Sequence, residues 1–314
     1  MPRSIAQLPF KNLWPQQLNT LFVCLLFCPG YLVGQQRHSF THPAMGTDFR
    51  IIISAVDTHG LAVVVGDAFN RIDALEQSMS DYRSDSELNQ LSGSTKWQPV
   101  SSDLYQVLQF SRELARQSNG AFDPTVGPLT KLWRRAFRQQ QFPDQEDILA
   151  ARTRVQWKDL KISRRRPRVR LRRPTMRLDL GGVAKGYALD VVGAMLREAG
   201  FPAFLIDGGG DLLLGDAPPE EEWSVKYPDY YVSGLHNVAI ATSGDTYRFL
   251  EWNGIRYSHI IDPRSGMGTT IDRQVTITGP AAMVADGLAS TICVTGSETI
   301  LKHYLGYVRA ITIR

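Results

Sequence analysis

A glycine-rich stretch followed by a lysine and a helical pattern lies near the middle of the chain. It reads MRLDLGGVAKGYALD and covers residues 176–190. Its glycines allow the backbone to approach a ligand closely, and the N-terminus of the following helix would present free N–H groups that suit an anion. Asp179 adds a carboxylate and Lys185 a positive charge. These residue types fit a phosphate site, although a tight strand-to-helix turn explains the stretch equally well.

The spacing excludes the two most familiar nucleotide-binding loops. The stretch lacks the G-x-x-x-x-G-K-[ST] pattern, because no serine or threonine follows the lysine, and this disfavours a P-loop nucleoside triphosphatase. The G-x-G-x-x-G pattern is also missing, so a Rossmann dinucleotide site has no support. A phosphate site here would therefore be of another kind.

Two later stretches hold further residues that could do chemistry. In VADGLAST, Asp286 and Ser290 are four residues apart and so lie on one face of a helix. A carboxylate and a hydroxyl together suit Mg²⁺, while a capping or core hydrogen bond is the simpler role for Asp286. In RYSHIIDPRSG, His259 precedes Asp262 and is either a proton acceptor or a structural histidine.

The elements that must position these residues alternate without a regular βαβ order. Residues 49–56 predict a strand, and the apolar spacing after Leu61 predicts an amphipathic helix. Two more helices are predicted in SSDLYQVLQFSRELARQSNG and AKGYALDVVGAMLREAG, and a buried one in AAMVADGLASTICVTG. Strands are predicted in FLIDGGGDLLLGD, HNVAIATSG and QVTITG. We therefore expect an α+β fold with a mainly antiparallel sheet and packed helices.

Charge is concentrated in one run of the chain. The 314 residues carry a net charge of +4, and much of the excess comes from KISRRRPRVRLRRP at residues 161–174. Such a run can attract anionic lipid or nucleic acid. A solvated hairpin is favoured here, because charged and aliphatic residues alternate and no aromatic residues interleave the arginines.

The N-terminal segment indicates export. Residues 1–34 contain basic residues and then LFVCLLFCPGYLVG, which is typical of a signal peptide, with an uncleaved membrane anchor as the alternative. A lipoprotein signal has weak support, because Phe27 stands before Cys28 where a small residue is needed. Cys293 is expected to be a small buried residue, and no His/Cys cluster suggests zinc.

Eight stretches, taken in order, resemble the ApbE family of exported FAD:protein FMN transferases. They are PAMGT, MSDYRSDSELNQL, NGAFDPTVGPL, LDLGGVAKGYALD, FLIDGGGDLLLG, IATSGDTYR, YSHIIDPRSG and VTITGPAAMVADGLAS. They extend from about His42 to about Gly296, and eight ordered stretches are far more specific than one glycine loop. The resemblance implies a single T-fold-like α+β domain over residues 35–314, with FAD as substrate and Mg²⁺ as cofactor.

The resemblance also implies a reaction and a place in the cell. The FMN half of FAD would be transferred to a threonine, or serine, hydroxyl of a target protein, with release of AMP. The implied acceptors are exported flavoproteins of membrane redox systems, so the enzyme would be periplasmic, with an inner-membrane anchor or membrane-surface contact as options and no nucleic acid as partner.

Two other functions remain open from the sequence. Some family members mainly hydrolyse FAD to FMN and AMP, and the third hypothesis is a non-catalytic exported FAD-binding protein. An aromatic ring at Tyr82 favours transfer over hydrolysis, because it could shield the flavin phosphate from water. The metal-and-base set argues against simple storage, which would not need it.

Individual roles follow from the same resemblance. The flavin-nucleotide positions are Met45, Tyr82, Ala121, Phe122, Asp123, Asp179, Lys185 and His259. The metal positions are the backbone oxygen near Gly182, the Asp286 carboxylate and the Ser290 hydroxyl. Family members usually have threonine where Ser290 stands. The hydroxyl is retained, so the metal site is expected to persist, with looser positioning of this ligand.

Phosphoryl chemistry explains why such residues are needed together. Cleaving a pyrophosphate requires stabilisation of charge on phosphate oxygens and an aligned nucleophile. A hydroxyl is a weak nucleophile, and a general base commonly contributes about 10²–10⁴-fold. His259 is the candidate base, with Asp262 as the residue that orients it and His42 as the competing histidine.

Overall fold

The computed structural model describes residues 36–219, 221–226, 231–244, 249–308 and 310–313. They belong to one unit, which extends from Gln35 to Arg314. The predicted signal peptide or anchor at residues 1–34 lies outside the described residues. In the part that is described, no helix is both long and apolar enough to cross a membrane.

Sixteen short strands occur in the described residues. In chain order they are β1 Gln36–Ala44, β2 Thr47–Ala55, β3 Gln98–Pro99, β4 Leu160–Ile162, β5 Arg168–Leu171, β6 Phe204–Gly208, β7 Leu212–Leu214, β8 Trp223–Lys226, β9 Tyr231–Leu235, β10 Val238–Ser243, β11 Phe249–Trp252, β12 Ile255–Ser258, β13 Ile261–Asp262, β14 Met267–Gly268, β15 Val275–Gly279 and β16 Ala310–Ile313. Seven of them form the main sheet, in the order β1–β2–β6–β7–β10–β15–β16. All neighbouring pairs in that sheet are antiparallel.

Seven α-helices accompany these strands within the same ranges. They are α1 Leu61–Met79, α2 Glu87–Gln90, α3 Ser102–Gln117, α4 Gly127–Gln139, α5 Gln145–Arg152, α6 Ala184–Glu198 and α7 Ala282–Thr295. Short 3₁₀ helices cover Trp157–Asp159 and Glu298–His303. The predicted α+β class with a mainly antiparallel sheet is therefore confirmed.

The main core lies between the large sheet and three helices. Helix α7 packs on β10 and β15, while α6 packs on β6 and β7 and contacts both α1 and α7. The predicted spacing is realised in α1, whose buried residues are Leu61, Val65, Ala68, Ile72, Leu75 and Met79. This three- and four-residue spacing places one apolar stripe towards the core.

Helices α6 and α7 are locked together near their N-termini. A Cβ atom added to Gly186 would lie 2.4 Å from the Ala282 carbonyl oxygen, so the two backbones approach to a distance that only glycine permits. The Asp190 carboxylate accepts hydrogen bonds from the backbone N–H groups of Ala282 at 2.7 Å and Met283 at 2.9 Å. This carboxylate satisfies the free donors at the start of α7 from a neighbouring helix.

A second, smaller core lies between helices α4 and α5 and strands β11 and β13. It contains Leu129, Trp133 and Ala136 of α4, Ala151 of α5, Leu250 of β11 and Ile261 of β13. The indole N–H of Trp133 donates to the Gly266 carbonyl at 2.9 Å. Helix α4 is therefore fixed by its apolar face, and its other face is left for the site described below.

The arginine run forms the predicted hairpin. Strands β4 and β5 pair antiparallel, and β3 pairs with the other edge of β5. The exposed ring of Trp97, the residue before β3, lies next to this hairpin, because Arg168 donates to its backbone carbonyl at 3.0 Å. The sequence showed no aromatic residue within the run, and the fold supplies one from a distant segment.

Candidate active site

A cavity of about 620 Å³ opens beside α4 and the segments before α6 and β13. Its lining residues are Met45, Asp81, Tyr82, Ala121, Phe122, Asp123, Val126, Thr130, Trp133, Arg134, Phe137, Arg138, Gln140, Asp179, Gly181, Gly182, Phe249, His259, Ile260, Ile261, Pro263, Ser290 and Val294. Cofactor and ligand pockets commonly measure about 300–1,000 Å³ and combine apolar walls with a few polar groups. The cavity has the size and character of a nucleotide-binding pocket.

Most of the residues singled out in the sequence meet in this cavity. Met45 comes from the β1–β2 turn and has a left-handed backbone with φ of 51°, Tyr82 follows α1, and Phe122 lies between α3 and α4. Asp179 and Gly182 precede α6, and His259 follows β12. Lys185, Asp262 and Asp286 do not line it.

Gly182 and Ser290 lie in contact at one end of the cavity. A Cβ atom added to Gly182 would lie 3.1 Å from the Ser290 hydroxyl oxygen and 3.3 Å from the Phe122 ring. The Ser290 hydroxyl is also 3.0 Å from that of Ser243. One turn earlier on α7, the buried Asp286 carboxylate accepts from the Gly186 N–H at 3.2 Å.

These groups suit a hard cation. Carboxylate, hydroxyl and carbonyl oxygens are the ligand types of Mg²⁺, which keeps several waters and uses substrate phosphates for the rest. In the ranges that the structure describes, no group of three or more His, Cys, Asp or Glu side chains could hold a metal ion. By donor type alone, the carbonyl, carboxylate and hydroxyl oxygens of Gly182, Asp286 and Ser290 fit the predicted ion.

Lys185 lies behind this oxygen set. Its ammonium group forms an ion pair with Asp211, whose second oxygen accepts from the Thr242 N–H at 3.2 Å. Burial opposes the Lys185 charge, but the nearby Asp286 and Asp211 carboxylates outweigh it and raise the lysine pKa. Burial first, and then the Asp211 charge, raise the pKa of Asp286, while Lys185 partly offsets them. The contact between Lys185 and the nucleotide stays a prediction.

Asp123 organises the loop that carries Phe122. Its carboxylate accepts from the Thr125 N–H at 2.8 Å, the Thr125 hydroxyl at 2.7 Å and the Trp157 N–H at 3.0 Å. Burial raises the pKa of Asp123 to about 6 despite these three hydrogen bonds. The side chain holds the loop in shape at the cavity wall.

Arg134 is a site residue that the sequence did not indicate. Its guanidinium pairs with Asp81 and with Asp179, the latter at 3.0 Å, and lies 4.1 Å from the centroid of the Tyr82 ring. The other Asp179 oxygen accepts from the Gly181 N–H at 2.8 Å. One arginine thus joins the α1–α2 loop, α4 and the glycine-rich segment. The segment LWRRAFR offered no signal beyond that of a basic helix face.

The two candidate histidines occupy different places. His259 lines the cavity. His42 lies on β1, with its Nε2 atom 2.8 Å from Asp73 and its ring stacked on Phe69 at 4.9 Å. Asp262 binds Arg264 through both carboxylate oxygens, each at 2.9 Å. Of the two histidines, His259 is the one placed for chemistry in the cavity, and the orienting role of Asp262 stays a prediction.

The fold and the site define an α+β protein with a cavity that lies beside the partly buried Ser290 hydroxyl and the Gly182 backbone, with the buried Asp286 carboxylate one helical turn away. Comparison with known proteins gives the same class, because the ApbE family model matches residues 45–308. The chain belongs to the ApbE family.

Individual relatives extend over most of the chain. The FAD:protein FMN transferase of Treponema pallidum (strain Nichols) is 30% identical, covering 91% of this chain and 88% of its own. The protein of the same name from Escherichia coli (strain K12) is also 30% identical, covering 81% and 77%. Among solved structures, the flavin transferase ApbE from Vibrio cholerae has a TM-score of 0.76 at 27% identity, covering 89% and 93%. The ApbE protein from Thermotoga maritima has a TM-score of 0.77 at 26%, covering 88% and 94%.

Proposed function

We propose that this protein is a Mg²⁺-dependent FAD:protein FMN transferase. It moves FMN from FAD to a threonine, or serine, hydroxyl of an exported flavoprotein of a membrane redox system and releases AMP. The observation that carries the proposal is that the predicted flavin-nucleotide residues other than Lys185 line one cavity together with Gly182 and Ser290. The names of the relatives support the same reaction.

The chain's own residues divide the work of this reaction. Gly182, Asp286 and Ser290 would hold Mg²⁺, which supplies neutralisation of charge on the phosphate oxygens when bound. Tyr82, whose ring lies against the Arg134 guanidinium, lines one edge of the cavity, where it would partly screen a flavin phosphate from water. His259, at the cavity wall, accepts the proton of the acceptor hydroxyl as that oxygen attacks phosphorus.

FAD hydrolysis to FMN and AMP is the second candidate. The same phosphate site serves a water molecule as well as a protein hydroxyl, and Tyr82 is 74% exposed, so the cavity edge is open to solvent. Simple FAD storage has less support, because storage does not require a buried carboxylate and hydroxyl beside the cavity. We therefore place transfer first.

One experiment separates the three functions. The purified protein is incubated with FAD and Mg²⁺, with and without a protein or peptide that carries an acceptor threonine, and the products are analysed by mass spectrometry. A mass gain of one FMN on the acceptor, with AMP released, supports transfer. Free FMN and AMP without labelling of the acceptor would contradict transfer and support FAD hydrolysis. FAD binding without any turnover would support the storage function.

Ser290 offers a test of the metal ligands. Ser290→Ala removes one neutral oxygen and is expected to weaken the apparent Mg²⁺ affinity about tenfold, at the lower end of what lost groups around metal sites cost. Ser290→Thr keeps the hydroxyl and is expected to retain activity. Mg²⁺ titration of FMN transfer measures both variants. Equal Mg²⁺ dependence of wild type and Ser290→Ala would remove the hydroxyl from the ligand set.

We also propose that the arginine hairpin binds anionic lipid at the membrane surface. Arg164, Arg165 and Arg166 lie exposed at its tip, with Trp97 beside it, and basic residues near an anionic surface each contribute about 1 kcal/mol. In a protein that comprises residues 35–314, replacing the three arginines by serine should weaken the affinity for phosphatidylglycerol vesicles by roughly tenfold or more. Co-sedimentation at low and high salt measures this. Vesicle binding that is equally strong at low and high salt would contradict the proposal.

A further inference from the structure

A second cavity, of about 450 Å³, adjoins the first. The two cavities share Asp81, Tyr82, Arg134 and Arg138 as lining residues. The Tyr82 ring and the Arg134 guanidinium, 4.1 Å apart, therefore form a common wall. The second cavity does not include Gly182, Ser290 or His259 among its lining residues, so its contents would lie next to the reacting groups rather than on them.

The second cavity is strongly cationic. Lys131, Arg134 and Arg138 lie on one face of α4, at spacings of three and four residues, and Arg177 enters from the segment before α6. Asp81 is the one acidic residue that lines it in the described part of the chain, and Arg134 already pairs with it. Lys131 and Arg138 are exposed and, within the same part, enter no ion pair. The cavity therefore presents uncompensated positive charge to a ligand.

Position distinguishes the ligand of this cavity from FAD. The predicted nucleotide contacts other than Lys185 line the first cavity, whereas Lys131 and Arg177 line the second and not the first. An acceptor hydroxyl must arrive from solvent, and charge of one sign in a cleft steers an oppositely charged partner towards it. We infer that the second cavity docks an acidic segment of the acceptor protein next to its reactive hydroxyl. This inference rests on the proposed function for the identity of the partner.

Direct binding tests the inference without any chemical step. Two fluorescent ten-residue peptides are used, both with a central threonine, one carrying three aspartates and the other three asparagines in their place. Their affinities for the FAD-loaded protein are measured by anisotropy at low ionic strength in the presence of EDTA. We expect the acidic peptide to bind about tenfold more tightly than its amide counterpart.

Charge variants locate the binding. Lys131→Glu should abolish the preference for the acidic peptide, while Lys131→Arg and the distant Lys302→Glu, which has the same charge change, should keep it. FAD affinity, followed by flavin fluorescence, should stay within about twofold in all three. Salt at high concentration should remove the preference, because the contact is electrostatic and exposed.

Three results would overturn the inference: equal binding of the two peptides, an unchanged preference in Lys131→Glu, or loss of FAD affinity in that variant. Displacement of the acidic peptide by AMP would also overturn it, because the cavity would then belong to the nucleotide. Failure of the proposed function would be seen in the transfer assay instead, where no acceptor would gain FMN although FAD is bound or hydrolysed.

Discussion

Replacing Asp286 by asparagine is expected to lower FMN transfer roughly 10²–10³-fold, the loss seen when one preorganised group that stabilises transition-state charge is removed. Asparagine has nearly the same volume and keeps an oxygen that can accept the Gly186 N–H at 3.2 Å. It lacks the negative charge that the site offers to a divalent cation. The fold should persist, because Lys185 retains its ion pair with Asp211.

Three measurements test this result. Isothermal titration gives the Mg²⁺ affinity, mass spectrometry gives the rate of FMN transfer, and thermal unfolding shows whether the variant is folded. Asp67→Asn is the matched control, because Asp67 makes the same carboxylate-to-amide change on the exposed side of α1. A folded Asp286→Asn protein with transfer within a few-fold of wild type would remove Asp286 from the metal site.

Replacing His259 by alanine is expected to lower transfer about 10²–10⁴-fold, the usual contribution of a general base. FAD binding should be largely kept, because many other residues line the cavity. The remaining activity should rise with pH without the acidic limb that an imidazole base imposes on the rate. Transfer at several pH values, together with FAD affinity from flavin fluorescence, separates the loss of a base from the loss of binding.

His42→Ala is the control for this prediction. His42 contacts Asp73 and Phe69 on the surface of β1 and α1, so its loss should leave transfer within about twofold, as expected for a surface substitution away from the site. Near-normal transfer by His259→Ala with FAD still bound would exclude His259 as the base. The reverse pattern, with only His42→Ala inactive, would assign the base to β1.

Local patterns in the sequence predicted the elements that depend on local periodicity. The stripe of α1, the β6–β7 pair and the buried α7 were all indicated by spacing or by turn residues. The face of α6 was harder to predict. A four-residue spacing predicts that Tyr187, Val191, Met195 and Ala199 share one face, yet Ala199 is exposed and the buried stripe includes Ala188, Val192 and Leu196. Glycines at 186 and 193 rotate the helix, because each lets a neighbour approach where a side chain would clash.

The site was only partly accessible to sequence reasoning. Motif-bearing residues such as Gly182, Asp286 and Ser290 could be named in advance because their types carry chemistry. Arg134 could not, because its role depends on Asp81 and Asp179, each from another segment, converging on it. The cationic cavity has the same origin, since Arg177 joins the α4 residues only through tertiary packing. Local sequence patterns cannot predict such networks, because their residues are far apart in the chain and meet only in the folded protein.

The locked contact between α6 and α7 determines which part of the site can adapt to a substrate. Gly186 and Asp190 hold the start of α7 against α6, so Gly182, just before α6, and Ser290, on α7, belong to one stiff block. The opposite wall is less enclosed, because Tyr82 is exposed and its ring lies against the Arg134 guanidinium. Acceptors of different shape would then be accommodated at the Tyr82 wall, while Gly182 and Ser290 keep their positions relative to each other.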